Sequence, residues 1–468
     1  MITTDPDLRL NLLPAPCRDL LRQSPGAYLV GGCVRDALIG KSPADYDLAV
    51  KTDPAGFAAR LAWRAGGRVV VMGKPGARSY RVPSGEIVFD VSPLDGPDIE
   101  ADLLRRDFTI NAMALEPAAD RIIDPTGGRA DLGRRIRMVS GAAFRRDPLR
   151  MLRAFRLAAG LGLSIEAGTL SAIAAHRDRI RTIAGERIRE ELLKFFRSGA
   201  SAPHLDRMAD SGLLEAILPE LTPLRRCRPN RHHRFDAFTH TLAAYGHLER
   251  VLTALAENFQ GINLSIPPKE AALLKWTMLL HDIGKPAAEK EDASGVIRYN
   301  DHSVLGADLA AAVCWRLRCS REEERFVTEV IRLHLRPLQL FTLHEGGRLS
   351  RRAVTRFFIR SGDRTPHVLI HGLGDYLGKG RSDAAETRRF RAFARMMMDR
   401  FYGDFKKESG RPPLITGRDL IRELKLTPSP VFSRILQGVE MARLEGTVRT
   451  REEALRMAAD LLAAADDA

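Results

Sequence analysis

The sequence predicts an α+β protein: a small mixed α/β head followed by an all-helical neck, body and tail. Three observations carry this reading. Short β-rich runs bounded by Gly, Pro and Asp are confined to the first 135 residues. Beyond Asp131 almost every segment has a helical period. A chain of 468 residues, 44% hydrophobic and 28% charged, suits roughly two to four globular domains with buried cores.

In chain order, "AYLVGG", "DYDLAV", "GRVVVMG", "YRVP" and "EIVFDVSPL" read as strands. The stretches "VRDALIG" and "PAGFAARLAWRAG" read as short amphipathic helices between them. After Asp131 no further strand is expected. "SGASAP" (198–203), "RRCRPNRHHRF" (225–235) and "KKESGRPP" (406–413) are expected boundaries or loops. The division that follows is head 1–135, neck 136–200, body 201–400 and tail 401–468.

Lys and Arg number 73 against 59 Asp and Glu, a net charge of +14 that points to a polyanionic partner, most simply nucleic acid. The five cysteines form no CxxC pair, so neither a zinc ribbon nor a disulfide framework is indicated, and reduced thiols suit a cytoplasmic protein. The opening residues lack the cationic and apolar regions of a signal peptide, and no apolar run reaches the roughly 20 residues of a membrane span.

"YLVGGCVRDALIGKSPADYDLAV" (28–50) places Gly31, Gly32 and Arg35 ahead of Asp45 and Asp47. Strand residues two apart share a face, so both carboxylates can aim at one place, where a divalent cation would relieve their repulsion. The glycines allow close backbone approach and leave N–H groups for phosphate oxygens, and Arg35 adds a fixed positive charge. "IVFDV" offers Asp90 as a third carboxylate. Metal-assisted phosphoryl transfer uses all these parts.

Together with "LLRRDFTINAMAL" (103–115) and "RDPLRMLRAFRLAA" (146–159), this segment resembles the class II tRNA nucleotidyltransferases and bacterial poly(A) polymerases of the DNA polymerase beta-like superfamily. The resemblance implies that Asp45 and Asp47 bind Mg²⁺, that Gly32, Arg35 and Arg106 contact the incoming nucleotide, and that the RRD segment, read as a strand, shapes the ribose and phosphate pocket. It also implies CTP and ATP as substrates and the tRNA 3′ end as acceptor.

Asp147 can cap a helix whose first residue is Pro148, with Arg150 on the same face. The pair can also imitate a base: its acceptor and donor match the amine and ring nitrogen of cytosine and adenine, and mismatch uracil and guanine. Arg153 and Arg156 continue at three-residue steps, matching family positions that hold the nucleotide. Arg146 stands where the family usually has Glu. Only "SPLDGPDIEADLL" separates the Asp90 strand from the RRD segment, where CCA-adding relatives have a long flexible loop. The short form resembles the CC-adding members, so terminal adenosine addition is expected to be weak or absent.

In the body, His240, His281–Asp282, His302, His334 and Asp375 reproduce the H…HD…D order of the HD phosphohydrolase domain, with His302 and His334 as extra histidines. Mixed nitrogen and oxygen donors of this kind can surround a divalent ion of unspecified identity and leave room for water and phosphate. The final stretch, from "PPLITGRDL" onward, resembles the tail of HD-bearing nucleotidyltransferases and implies tRNA contact. Two rivals stay open: a poly(A) polymerase, and an HD phosphohydrolase whose head only binds RNA.

Overall fold

The structure, a computed structural model, describes residues 13, 15–43, 45–74, 78–227, 235–291, 293, 297–380, 383–427 and 429–466. The chain forms two compact units, residues 1–219 and 220–468.

The first unit is built on a seven-stranded sheet: β1 (Ala27–Val30), β2 (Asp45–Val50), β3 (Val70–Met72), β4 (Ser79–Ser84), β5 (Ile87–Pro93), β6 (Ala114–Glu116) and β7 (Arg121–Ile123), in spatial order β3-β4-β5-β2-β1-β6-β7. The central β2–β5 pair is parallel and its neighbours are antiparallel. Alternation decides which side is dry: Tyr46, Leu48, Phe89 and Val91 are buried, and the Tyr46 and Phe89 rings lie 5.6 Å apart. Asp45 and Asp47 take the opposite, solvent-facing side.

Helix α1 (Gly32–Leu38) follows β1, and α2 (Pro54–Ala65) is capped at its start by Asp53, which accepts from the Gly56 N–H at 2.9 Å. The neck contributes α3 (Leu149–Leu161) and α4 (Gly185–Phe196), packed through Leu152, Phe155, Leu192 and Phe195.

Helices make up the core of the second unit: α5 (Ala237–Thr253), α6 (Pro268–Leu280), α7 (His302–Arg316), α8 (Arg321–Leu333) and α9 (Thr365–Gly378). Nearly every residue of α9 is buried, as befits a helix surrounded by others. Its approach to α5 depends on Gly378, where a Cβ would come within 2.7 Å of the Ala244 Cα. The tail helices α10 (Gly417–Leu424), α11 (Pro430–Glu445) and α12 (Arg451–Asp466) enclose a small core of their own around Leu420, Ile435, Val439 and Ala454.

Several sequence expectations need correction. Strands do not end at Asp131: Arg135–Ile136 pairs with Ser164–Ile165, and Glu289–Glu291 with Ile297–Tyr299. Two- and three-residue strands are too short to show alternation. The RRD segment is not a strand of the sheet. Asp107 turns back to accept its neighbour's N–H from Phe108 at 2.8 Å, a 3₁₀ turn covers Thr109–Asn111, and β6 begins only at Ala114. Arg105 and Arg106 are not simply solvated, since they pair with Asp95 and Asp102. Lys406–Ser409 is helical rather than loop. Helix α3 starts one residue later than expected, at Leu149. Residues 228–234 of the basic stretch lie outside the described residues.

Candidate active sites

In the head, the parallel register sets Asp47 directly opposite Asp90. Asp45, Asp47 and Asp90 therefore share one face of the sheet. Neither the Asp45 nor the Asp47 carboxylate has a hydrogen bond or ion pair among the described residues. Burial raises the Asp47 pKa; Arg106 opposes the rise and Asp90 and Asp45 add to it. Clustered carboxylates without direct ion-pair partners among the described residues fit the binding of a divalent cation. Asp90 differs: Arg81, its cross-strand neighbour, grips both oxygens at 2.8 Å.

Gly31 (φ +76°) is the turn that brings these parts together. A Cβ there would lie 3.0 Å from Arg106 Nη1 and 3.5 Å from Asp47 Oδ2. Its N–H is not available for phosphate, because it donates to the Met113 carbonyl at 3.2 Å. Gly32 opens α1, where the first N–H groups have no intrahelical acceptor. Arg35 Nη1 donates to Asn111 Oδ1 at 2.6 Å, and Arg106 Nε to Asp102 Oδ2 at 2.9 Å, so both guanidiniums are held by neighbours.

Asp147 accepts from the Leu149 N–H at 3.2 Å and from Arg187 at 3.0 Å, so one oxygen meets the first N–H of α3 while the other reaches α4. Arg150 donates to the Arg105 carbonyl at 3.0 Å, Arg153 to Asp107 at 2.9 Å and Arg156 to Glu191 at 2.6 Å. The first two tie the neck to the RRD segment; Arg156 is committed within the neck. Sequence reasoning quoted RRDFTIN but passed over Asp107 and Asn111, the residues that orient Arg153 and Arg35.

The second site lies in the helical body. His240 Nε2 is 2.9 Å from Asp375 Oδ1 and 3.7 Å from Asp282 Oδ2, and His281 Nε2 is 3.2 Å from the latter. Across the cluster, His302 Nε2 lies 3.5 Å from Asp282 Oδ1 and 3.3 Å from His334 Nε2. Two donor sets result, His240–His281–Asp282 and Asp282–His302–His334, each with its ligand atoms within 4.8 Å of one another. All six predicted residues thus meet in one buried place. Gly284 makes this possible, since a Cβ there would sit 2.2 Å from the His302 carbonyl oxygen.

The donor chemistry fits a metal. The Nδ1 atoms of His281, His302 and His334 each face a backbone carbonyl, those of Met278, Tyr299 and Ile331, at 2.6–2.8 Å. That arrangement turns every Nε2 inward, as a metal ligand requires. Burial disfavours a charged His281, but Asp282 and Asp375 outweigh it and push its pKa up to about 10. His334 is driven down to about 3 by burial and by His302 and His281. Sequence reasoning missed Lys285, 2.6 Å from Asp282, and His371 and Lys379, which flank Asp375 at four-residue spacing on α9 and its end.

A polymerase-type head with an unpaired carboxylate couple, joined to a helical unit with an intact His–Asp cluster, defines a nucleotidyltransferase carrying an HD domain. Family models agree: a poly A polymerase head domain matches residues 27–137, a probable RNA and SrmB-binding site of polymerase A matches 162–224, and an HD domain matches 238–355. An A-adding tRNA nucleotidyltransferase of Deinococcus radiodurans is 34% identical over 92% of this chain and 94% of its own. A CC-adding tRNA nucleotidyltransferase of Thermus thermophilus is 32% identical over 92% of each. The chain belongs to the tRNA nucleotidyltransferase family. The fold agrees with that of a Thermotoga maritima CCA-adding enzyme complexed with tRNA (TM-score 0.65, 21% identity, 98% of each chain). Among the described residues no helix is long and apolar enough to cross a membrane.

Proposed function

We propose that the head transfers nucleotides from CTP, and in principle ATP, to the 3′ end of tRNA. The carrying observation is the Asp45–Asp47 pair, aimed at one face and without a direct hydrogen bond or ion pair among the described residues. These two residues would hold Mg²⁺, which supplies charge neutralisation at the triphosphate and lowers the pKa of the attacking hydroxyl. The tRNA 3′-oxygen bonds to the α-phosphorus, the bond to the bridging oxygen breaks, and pyrophosphate leaves. Arg106 and Arg35, anchored by Asp102 and Asn111, meet the triphosphate alongside the N–H groups of Gly32. Asp90 is the third carboxylate of the pocket. Asp147 and Arg150 read the base, with Arg153 and Arg156 behind them. Residues 1–135, 136–200 and 401–468 serve as catalytic head, base-reading neck and tRNA-contacting tail. A tRNA acceptor and five free thiols suit the cytoplasm.

The connection from Asp90 to Arg105 supports restricted addition. Strand β5 runs to Pro93, Asp98 caps a helix over Ile99–Leu103, and Asp102 bonds both the Asp95 N–H and Arg106. Every part of this link has a structural task, so it contains no long lever for refitting the pocket from CTP to ATP. The test is product length and sequence on tRNA ending at the discriminator base, with labelled CTP and ATP. Products ending in CC are expected. Full CCA ends would overturn the restriction, and adenosine added only to tRNA already ending in CC would match the Deinococcus relative's name instead. An Asp147→Ala arm should lose about 1–3 kcal/mol of CTP-over-UTP discrimination.

The body (201–400) we read as a metal-dependent phosphoesterase. His240, His281, Asp282, Asp375, His302 and His334 would hold divalent metal, which supplies an activated water and Lewis acidity toward phosphate.

A further inference from the structure

Helix α9 carries more chemistry than the two donor sets use. His371, Asp375 and Lys379 follow at four-residue steps and so line one face, with Lys379 continuing the helical backbone at φ −65°. Asp375 is bonded to His240, and the His371 ring lies 5.5 Å from that of His281 and 6.1 Å from that of His334. That face looks into the histidine cluster.

Neither ring nitrogen of His371 has a hydrogen-bond partner among the described residues, although the ring is fully buried. Lys379 is only 9% exposed and makes no ion pair among the described residues; its ammonium lies 5.1 Å from the Tyr376 ring. Lys285, by contrast, is spoken for by Asp282. A buried ammonium with no carboxylate in direct contact stays costly even with Asp375, Glu386 and Asp282 nearby, and a divalent cation held by the histidine cluster would add repulsion. An anion that touches both cations removes the two penalties together.

We propose that Lys379 and His371 form the anion half of this pocket and receive the phosphoryl oxygens of a phosphate ester. Lys379 supplies charge, and His371 supplies a neutral N–H donor. The inference rests on the phosphoesterase reading and names the groups that would recognise its substrate.

The test uses full-length protein loaded with Mn²⁺ and titrated calorimetrically with inorganic phosphate, with metal content measured separately. Lys379→Met should retain wild-type metal content and bind phosphate about tenfold or more weakly, the loss of one charge-assisted hydrogen bond. Lys379→Arg should recover most of that affinity. A second measurement needs no variant: acetylation of Lys379 in the wild-type protein, followed by peptide mass spectrometry, should slow about tenfold when Mn²⁺ and phosphate are both present. Unchanged phosphate binding by Lys379→Met, an unprotected Lys379, or metal lost in step with phosphate would overturn the proposal. Phosphate binding through Lys379 in a protein that cleaves no phosphate ester would support the anion site while removing the phosphoesterase reading.

Discussion

In the head, Asp45 and Asp47 stand on the open face of a β-sheet with no hydrogen-bond or ion-pair partner among the described residues; in the helical body, Asp282 and Asp375 are 2% and 8% exposed and ringed by histidines. The chemistry of both sites is carboxylate-based, yet the surroundings set different costs. A carboxylate pair on a water-facing sheet surface, though burial still raises Asp47, is more easily solvated than a core cluster and suits a cation that arrives with a triphosphate. A buried His–Asp cluster cannot be left uncompensated, so an ion bound there would contribute to folding stability. The contrast predicts that damage to the head should remove activity with little loss of stability, whereas damage to the body should change both.

The largest effect is expected in the head. Asp45→Asn or Asp47→Asn should lower single-turnover nucleotide addition by about a thousandfold or more, because the ion's several kcal/mol of charge stabilisation is lost. Filter binding should show tRNA held nearly as tightly as by the wild type, since the proposed tRNA contacts lie in the tail rather than at these carboxylates. Normal incorporation by either variant would remove the head site, and a large drop in melting temperature would erase the contrast itself.

Next in size is the body. Stripping metal with a chelator should weaken folding by about 3 kcal/mol where the ion had stood at a hundredfold excess over its Kd. Calorimetry should show the loss as a lower-melting transition that recovers on adding metal back. His281→Ala combined with Asp282→Ala should abolish the response to chelator together with phosphoesterase activity, while nucleotide addition proceeds. A wild-type protein that binds no divalent metal and is indifferent to chelator would reduce the body to a scaffold.

Both sites were legible in the sequence to the degree that their residues are spaced by local structure. Asp45 and Asp47 sit two apart on a strand, so their shared face followed from spacing, whereas His281–Asp282, adjacent at a helix end, were placed by the residue order they share with HD domains. Contacts made through partners far along the chain were not legible. Arg81 holds Asp90 only because β4 and β5 are antiparallel in a particular register, and Asp107 holds Arg153 across 46 positions. His371 and Lys379 had the right spacing from Asp375 on α9, but helical spacing does not say which face a buried helix turns toward a pocket. The Gly31 N–H was expected to be free because a glycine turn usually exposes it; the β1–β6 pairing supplied Met113 as an acceptor.

The smallest effect sharpens the comparison from inside the head, where Asp107 is one of several buried carboxylates. Asp107 is 6% exposed and accepts hydrogen bonds from Phe108, Asn111 and Arg153. Burial alone would raise its pKa; Arg153, Asn111 and the Phe108 N–H outweigh it and hold the carboxyl below the usual carboxylate range. A depressed folded pKa means that the contribution is fully present above the unfolded carboxylate value and is lost as pH falls through the folded one. Asp107→Asn should therefore cost about 1–2 kcal/mol at neutral pH, discounted because Arg153 stays partly exposed. Denaturant midpoints should show the gap between Asp107→Asn and wild type closing as pH drops below the carboxylate range. A gap that stays constant with pH would mean that shape rather than charge makes Asp107 useful. This buried carboxylate of the head would then differ in kind from those of the body, where charge would favour a bound cation.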